Sequence, residues 1–162
     1  MDGRGRINKM RKIKQGIMGL IIALSMVVGM GAASAQDVLM PDGAHILSLP
    51  EEMVFQEPAS DESDLRGIFL MPPELEMLVF AYDLPGVSSQ TLAEALTAAG
   101  REAQVREIGG TEFLVFQDVD EADGAPCVGY SYLTGDQMIE ITFFYSSQAA
   151  MDLTQSIMES FR

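Results

Sequence analysis

The chain has 162 residues, 48% of them hydrophobic, with one cysteine, one histidine and a formal charge of −14. An internal disulfide needs two cysteines, so the disulfide-stapled class of small secreted proteins is excluded. Nucleic-acid binding is excluded as well, because it needs clustered cationic side chains to meet phosphate and this chain is strongly acidic.

Residues 1–35 have the three parts of a secretory signal peptide. The segment begins with a basic head, and a nearly pure apolar run follows from Gly16 to about Ala33. At the end of this run, Ala33 and Ala35 are small residues at the two positions that signal peptidase selects. We expect cleavage before Gln36 and an exported protein, either secreted or kept in the periplasm or cell envelope. An uncleaved membrane anchor is the alternative, because the apolar run is close to the roughly 20 residues that span a bilayer.

The charge changes sharply after this segment. Residues 36–162 contain no lysine, and four arginines stand against 23 acidic residues, which gives a formal charge of −19. Contact with a membrane is therefore expected only through the signal segment, if it is uncleaved. Such acidity is typical of a surface that keeps a protein soluble or that binds a basic partner.

The first part of the exported chain predicts extended structure. Residues 36–43 are expected to form a short tether ending in a Pro-Asp-Gly turn. Four extended runs follow, at His45–Leu49, Met53–Phe55, Leu65–Met71 and Leu78–Tyr82, and proline ends most of them. The acidic stretch between Glu57 and Asp64 is predicted to be a solvated loop.

The middle of the chain predicts a helix from about Ser88 to Ala99. Ser88 or Ser89 can cap it, apolar residues recur at helical spacing, and Gly100 follows where a left-handed residue is favoured.

Four strands and a closing helix complete the pattern. The strands are predicted at Gln104–Ile108, Glu112–Val119, Val128–Leu133 and Met138–Tyr145, with Gly109-Gly110 as a two-residue hairpin turn. The closing helix is capped by Ser146 or Ser147, and its apolar stripe is Ala150, Leu153, Ile157, Met158 and Phe161. Short hairpins with two amphipathic helices predict an α+β fold, an antiparallel β-sheet flanked by two or more helices, after an N-terminal signal helix.

Three stretches of this chain resemble a known family. They are ILSLPEEM from Ile46, the pair EFLVF from Glu112 and CVGY from Cys127, and the ending IEITF from Ile139 with SIMESF from Ser156. Together they resemble the PsbP-like, or Mog-type, fold of photosystem extrinsic proteins, a nuclear transport factor and many small exported bacterial proteins. The resemblance implies a single domain over residues 44–162 with a binding or accessory role, and it carries over no functional residue.

Catalysis is not expected from the residues that are present. With His45 and Cys127 as the single members of their kind and no lysine after Ala35, most nucleophile–base pairs are impossible. Cys127 is expected to be buried and inert. An enzyme that uses two carboxylates as acid and base is kept as a third hypothesis.

A calcium site is the second hypothesis. Asp118, Asp120, Glu121 and Asp123 place four carboxylates within the loop at residues 118–124, which ends in a glycine. The spacing departs from the helix–loop–helix calcium motif, because the third aspartate is one place late and Gly129 stands where a bidentate glutamate is required. A hairpin loop kept soluble by charge is the favoured interpretation.

The first hypothesis is an exported, acidic, non-catalytic accessory protein that binds a protein or a small ligand and needs no cofactor. The aromatic residues that could line such a site are Phe69, Phe80, Tyr82, Tyr130, Tyr132 and Phe144, although each is expected to be core.

Overall fold

A computed structural model describes residues 35–59, 63–120 and 124–162. The predicted signal helix therefore lies outside the described residues, as does the middle of each acidic loop. No helix among the described residues is both long and apolar enough to span a membrane.

The described chain is α+β, as predicted, with an antiparallel sheet and two helices. Its elements in order are β1 (Ala35–Leu39), β2 (Ile46–Pro50), β3 (Val54–Gln56), β4 (Leu65–Met71), β5 (Leu75–Asp83), α1 (Ser89–Ala98), β6 (Ala103–Ile108), β7 (Thr111–Val119), β8 (Pro126–Thr134), β9 (Gln137–Tyr145) and α2 (Gln148–Glu159). Strands β1 and β2 form a separate two-stranded hairpin. The other seven strands form one sheet in the order β3-β4-β5-β9-β8-β7-β6, in which every neighbouring pair is antiparallel.

One prediction is corrected at the start of the domain. The tether expected at residues 36–43 is instead strand β1, followed by the turn that leads into β2. Ala35 pairs with Pro50 and Leu39 with Ile46, so the segment is a regular β-hairpin. The alternation of polar and apolar residues here is only five residues long, which is why the sequence alone does not distinguish a strand from a linker.

The main core lies between one face of the large sheet, called the first face, and a layer made of the β1–β2 hairpin and α2. Leu47 and Leu49 of β2 and Ile157 and Met158 of α2 are buried in the same cluster as the first-face side chains. Phe113, Ile141 and Phe143 are among those side chains, each with no exposed surface. This layer fixes both ends of the described chain on one side of the sheet.

Each helix begins after a serine N-cap, and the sequence analysis offered two candidate serines for each helix. The Ser88 hydroxyl accepts a hydrogen bond from the Thr91 N–H, and the Ser147 hydroxyl accepts one from the Ala150 N–H. Each cap satisfies one of the N–H groups that a helix start leaves free.

The two helices differ in how much of their surface they bury. Helix α2 buries Ala150, Ile157 and Met158 on the predicted stripe, together with Thr154. Helix α1 buries no residue and packs mainly against β6 and β7. Its apolar stripe is therefore a weak contact rather than a layer of core.

Candidate functional site

The predicted signal-cleavage residues lie at the edge of the described chain. Ala33 is outside the described residues, and Ala35 is the first residue of β1. The Gln36 side-chain amide donates hydrogen bonds to the carbonyl oxygens of Pro50, at 3.2 Å, and Met53, at 2.6 Å. Cleavage before Gln36 would keep this side chain and all pairs of the β1–β2 hairpin except Ala35 with Pro50.

The predicted calcium ligands are only partly described. The Asp118 carboxylate is 2.7 Å from the Arg101 guanidinium, and Asp120 uses its backbone to close a turn with Gly124 and Ala125. Glu121 and Asp123 lie outside the described residues. Within the described ranges, no group of three or more His, Cys, Asp or Glu side chains could hold a metal ion. The calcium site stays a prediction.

The candidate aromatic residues are mainly core, as expected. Phe69, Tyr130, Tyr132 and Phe144 are buried. Phe80 and Tyr82 are half-buried and stack on each other, with ring centroids 5.8 Å apart. Cys127 is buried as well, with 7% of its surface exposed.

A shallow groove lies where the β4–β5 turn approaches the end of β9. Leu70, Pro72, Phe144 and Tyr145 contribute to its lining, and its volume is about 180 Å³. Pockets for small organic ligands are usually about 300–1,000 Å³. The groove is therefore smaller than the usual pocket for a small organic ligand.

Strand β6 forms one edge of the large sheet and is largely exposed. Four of its six residues are exposed, Gln104, Val105, Arg106 and Glu107. The Val105 side chain keeps 58% of its surface in solvent although valine is apolar. An edge strand also presents a row of backbone groups that a second chain can pair with.

The register of β6 shows which backbone groups are available. Gly109 and Gly110 both have positive φ, 58° and 80°, and form a two-residue turn of type I′ between Ile108 and Thr111. Residues that flank such a turn are a hydrogen-bonded pair, and hydrogen-bonded pairs then alternate along an antiparallel ladder. The N–H and C=O groups of Ala103, Val105 and Glu107 therefore point away from β7.

The hairpin that carries β6 is held at its turn by the C-terminal residues. A Cβ atom added to Gly109 would clash with the Phe161 carbonyl oxygen, closer than real Cβ atoms ever come to another atom. Only glycine fits this position, both for its positive φ and for this approach of the two backbones. Phe161 itself is 2% exposed and packs edge-on against Phe113 of β7, with ring centroids 4.9 Å apart.

A second anchor at the same end is His45. Its Nε2 is 3.3 Å from the Thr111 hydroxyl, and its Nδ1 is 2.6 Å from the Asp42 carboxylate. The ring stacks on Phe161 at 4.8 Å between centroids. The order hydroxyl, imidazole, carboxylate also occurs in nucleophilic enzymes. In this protein it connects the β1–β2 turn, the β6–β7 hairpin and the C-terminus.

Asp42 is the centre of this anchor. Burial raises the pKa of its carboxyl, but hydrogen bonds from the Ala44 N–H, from His45 and from the Tyr132 hydroxyl outweigh that effect and lower it to about 2. The Tyr132 hydroxyl donates to Asp42 at 2.9 Å. Burial and this bond to a carboxylate both raise the pKa of Tyr132 above the ordinary tyrosine value. The carboxylate and the phenol therefore keep their charge states across the physiological range.

The opposite end of β6 is held by Arg101. Its guanidinium forms the ion pair with Asp118 of β7 and lies 5.7 Å from the centre of the Phe116 ring. Phe116 pairs with Ala103, the first residue of β6. The edge is thus fixed at both ends, which lowers the entropy that a bound partner would have to remove.

The other edge of the sheet, β3, is a weaker candidate. Val54 and Phe55 are 63% and 54% exposed, but the strand has three residues. The backbone of Met53, just before it, already bonds to Pro50 and to the Gln36 side chain.

The sequence analysis predicted strand β6 but did not identify it as a site. Alternation and the paired glycines locate the strand, whereas its place at the end of the sheet depends on pairing between distant strands. The contacts of His45 were missed for the same reason, because Asp42, Thr111 and Phe161 come together only in the folded chain.

Comparisons with known proteins bear on the fold. No family model matches the chain, and a search of curated proteins finds no match. Among solved structures, the chain is similar to cyanobacterial PsbP (CyanoP) from Synechocystis, with a TM-score of 0.57, 14% identity and coverage of 86% of this chain and 98% of that one. The chain has the PsbP-like, or Mog-type, fold.

Two further structures agree with this assignment. The Ran-binding protein Mog1p of Saccharomyces cerevisiae has a TM-score of 0.50 and 15% identity, over 81% of this chain and 96% of that one. A Bacteroides thetaiotaomicron protein has a TM-score of 0.58 and 12% identity, over 78% of this chain and 47% of its own length. These identities are low, so the likeness is one of fold.

Proposed function

We propose that this chain is an exported accessory protein that binds another protein without catalysis, and that β6 is the strand it presents to that partner. The observation that carries the proposal is an exposed six-residue edge strand, anchored at its turn by Phe161 and His45 and at its start by Arg101. An exposed edge strand presents N–H and C=O groups with which another chain can pair.

The fold supports a binding role. The similar structures include a Ran-binding protein and a PsbP protein. The chemistry of the chain agrees, since it carries one histidine and one cysteine, and Cys127 is buried. An accessory function needs no reactive group.

The sequence supports export. Residues 1–35 have the composition of a signal peptide, and cleavage before Gln36 would leave β1 intact except for Ala35. Mass spectrometry of the protein recovered from the producing cells tests this part directly. A mass that begins at Gln36 supports export with cleavage, and an intact chain in the cytosol contradicts it.

The binding role is tested by photo-crosslinking in the producing cells. A photoreactive amino acid replaces Val105 in one variant and Val54 in a matched control, because both are exposed valines on opposite edges of the same sheet. We expect a discrete crosslinked species at position 105 and none, or a different one, at position 54. Absence of any specific crosslink at position 105 contradicts the proposed function.

A further inference from the structure

We propose that the partner binds as an added β-strand: an extended segment pairs antiparallel with β6 and carries a basic residue opposite Glu107, an acidic residue opposite Arg106 and a β-branched residue opposite Val105. This inference rests on the proposed function and specifies the chemistry of the partner. It follows from the free backbone groups of β6 and from the order of its side chains.

The backbone supplies the first part. Ala103, Val105 and Glu107 each direct an N–H and a C=O group outward, so an extended segment can form up to six hydrogen bonds with this edge. Peptides that add a strand to a sheet gain affinity from these main-chain bonds and specificity from alternate side chains. Antiparallel pairing is the expected orientation because all the neighbouring strands of this sheet are antiparallel.

The side chains supply the second part. Arg106 lies on the first face of the sheet in register with Phe113, and Glu107 lies on the opposite face in register with Glu112. A residue directly opposite each one on an added strand would contact it, and opposite charges stabilise such cross-strand pairs. The exposed Val105 gains most from a β-branched neighbour, which covers its apolar surface.

A second copy of this chain fits the edge less well. Two β6 strands related by a two-fold axis would put Arg106 opposite Arg106, or Glu107 opposite Glu107, when the axis passes through either residue. Like charges directly opposite each other destabilise the pair. An axis through Val105 leaves Arg106 opposite Gln104 and Glu107 opposite Ala103, so neither charge gains an opposite charge. An axis through Gln104 gives opposite charges only by using Glu102 and Arg101, which precede β6, and Arg101 already pairs with Asp118.

The test uses two peptides of identical composition with the protein purified from the producing cells. The matched peptide is Thr-Lys-Glu-Val-Thr-Val, which places lysine opposite Glu107 and glutamate opposite Arg106 in the antiparallel register. The control exchanges the lysine and the glutamate. Both have the same net charge, so general attraction to an acidic protein cancels in the comparison.

We expect the matched peptide to bind about tenfold more tightly than the control, because two favourable cross-strand pairs become two unfavourable ones. The double variant Arg106→Glu with Glu107→Arg keeps the net charge and should reverse this preference. Equal affinity for the two peptides, or a preference that the double variant leaves unchanged, overturns the inference.

A backbone variant separates strand addition from other modes of binding. Val105→Pro removes an outward N–H group while leaving the bonds to β7, and proline is tolerated on edge strands. We expect this variant to lose binding of the matched peptide while its melting temperature stays within a few degrees of wild type. Retained binding overturns strand addition. If Val105→Pro unfolds, a peptide N-methylated at the residue opposite Val105 is the equivalent test on the wild-type protein.

The two proposals can fail separately. A crosslink at position 105 in cells without any discrimination between the peptides leaves the proposed function standing and overturns strand addition. Sedimentation that shows a β6-dependent dimer overturns the choice of a foreign strand as the occupant.

Discussion

At the scale of single residues, Asp42 shows how one buried carboxylate organises the end of the sheet. Its side chain is 3% exposed and accepts hydrogen bonds from the Ala44 and His45 N–H groups, the His45 ring and Tyr132. These donors come from the β1–β2 turn and from β8. The carboxylate therefore joins two parts of the chain that are 90 residues apart in sequence.

The stability of the protein should depend on this carboxylate in a pH-sensitive way. The pKa of Asp42 is lowered from 3.8 to about 2, so its contribution is present above pH 4 and is lost as the pH falls towards 2. We predict that Asp42→Asn lowers the free energy of unfolding at pH 7 by about 2 kcal/mol. It should also flatten the fall in stability between pH 4 and pH 2.

Chemical denaturation at several pH values measures this effect. Glu52→Gln is the matched control, because Glu52 is an exposed acid outside the cluster whose replacement removes the same charge. A loss of stability in Asp42→Asn that is no larger than in the control would contradict the role assigned to Asp42.

The two turn glycines provide a second prediction at this scale. Both have positive φ, but an added Cβ meets the Phe161 carbonyl oxygen at Gly109 and nothing within 4 Å at Gly110. Gly110→Ala should cost about 1–2 kcal/mol from backbone strain alone. Gly109→Ala should cost clearly more, because it also displaces the C-terminal residues. Equal melting temperatures for the two variants would show that the contact with Phe161 is unimportant.

At the scale of elements, the C-terminal residues 160–162 hold the β1–β2 hairpin in place, and we call this segment the C-terminal clasp. The Ile46 N–H donates to the Arg162 carbonyl oxygen at 2.8 Å, and the Arg162 N–H donates back to Ile46 at 3.1 Å. The Ser160 hydroxyl accepts from the Ser48 N–H in the same region. Backbone bonds thus continue the β1–β2 hairpin into the end of the chain.

The clasp should depend on packing more than on charge. Phe161→Ala removes a ring that is 2% exposed and contacts Phe113 and His45, and we predict a loss of about 3–5 kcal/mol. Arg162→Ala removes an exposed ion pair with Asp37 but keeps both backbone bonds, so its effect should be much smaller.

Urea denaturation of the two variants compares these contributions. A loss in Arg162→Ala as large as that in Phe161→Ala would mean that the ion pair, and not the aromatic packing, holds the clasp.

The elements also show what could be predicted from sequence. The strands, the Gly109-Gly110 turn and the serine caps follow from local patterns, and the structure confirms them. The exposure of α1 could not be predicted, because an amphipathic stripe indicates which face of a helix can be buried. It does not indicate how closely the helix packs against the sheet. Strand β1 was missed because its order comes from pairing with β2 and not from its own composition.

At the scale of the whole molecule, the main core lies on the first face of the sheet, and β6 forms an accessible edge of the same sheet. The contacts of Gly109, His45 and Arg101 hold β6 in place at both ends, and the proposed function depends on this strand. The candidate site was hidden from the sequence because an edge is a property of strand order, which is set by contacts such as Leu114 with Ser131. The acidic loop at residues 118–124 was considered as a calcium site from its composition alone. In the structure its first carboxylate, Asp118, forms an ion pair with Arg101.

The measurement that tests the account most directly is amide hydrogen exchange along β6, followed by NMR. The account predicts fast exchange at Ala103, Val105 and Glu107, whose N–H groups point outward, and slow exchange at Gln104, Arg106 and Ile108, which bond to β7. Addition of the matched peptide should slow exchange at the first three residues only. Slow exchange at all six residues in the isolated protein would show that this edge is already covered, and it would contradict the central claim.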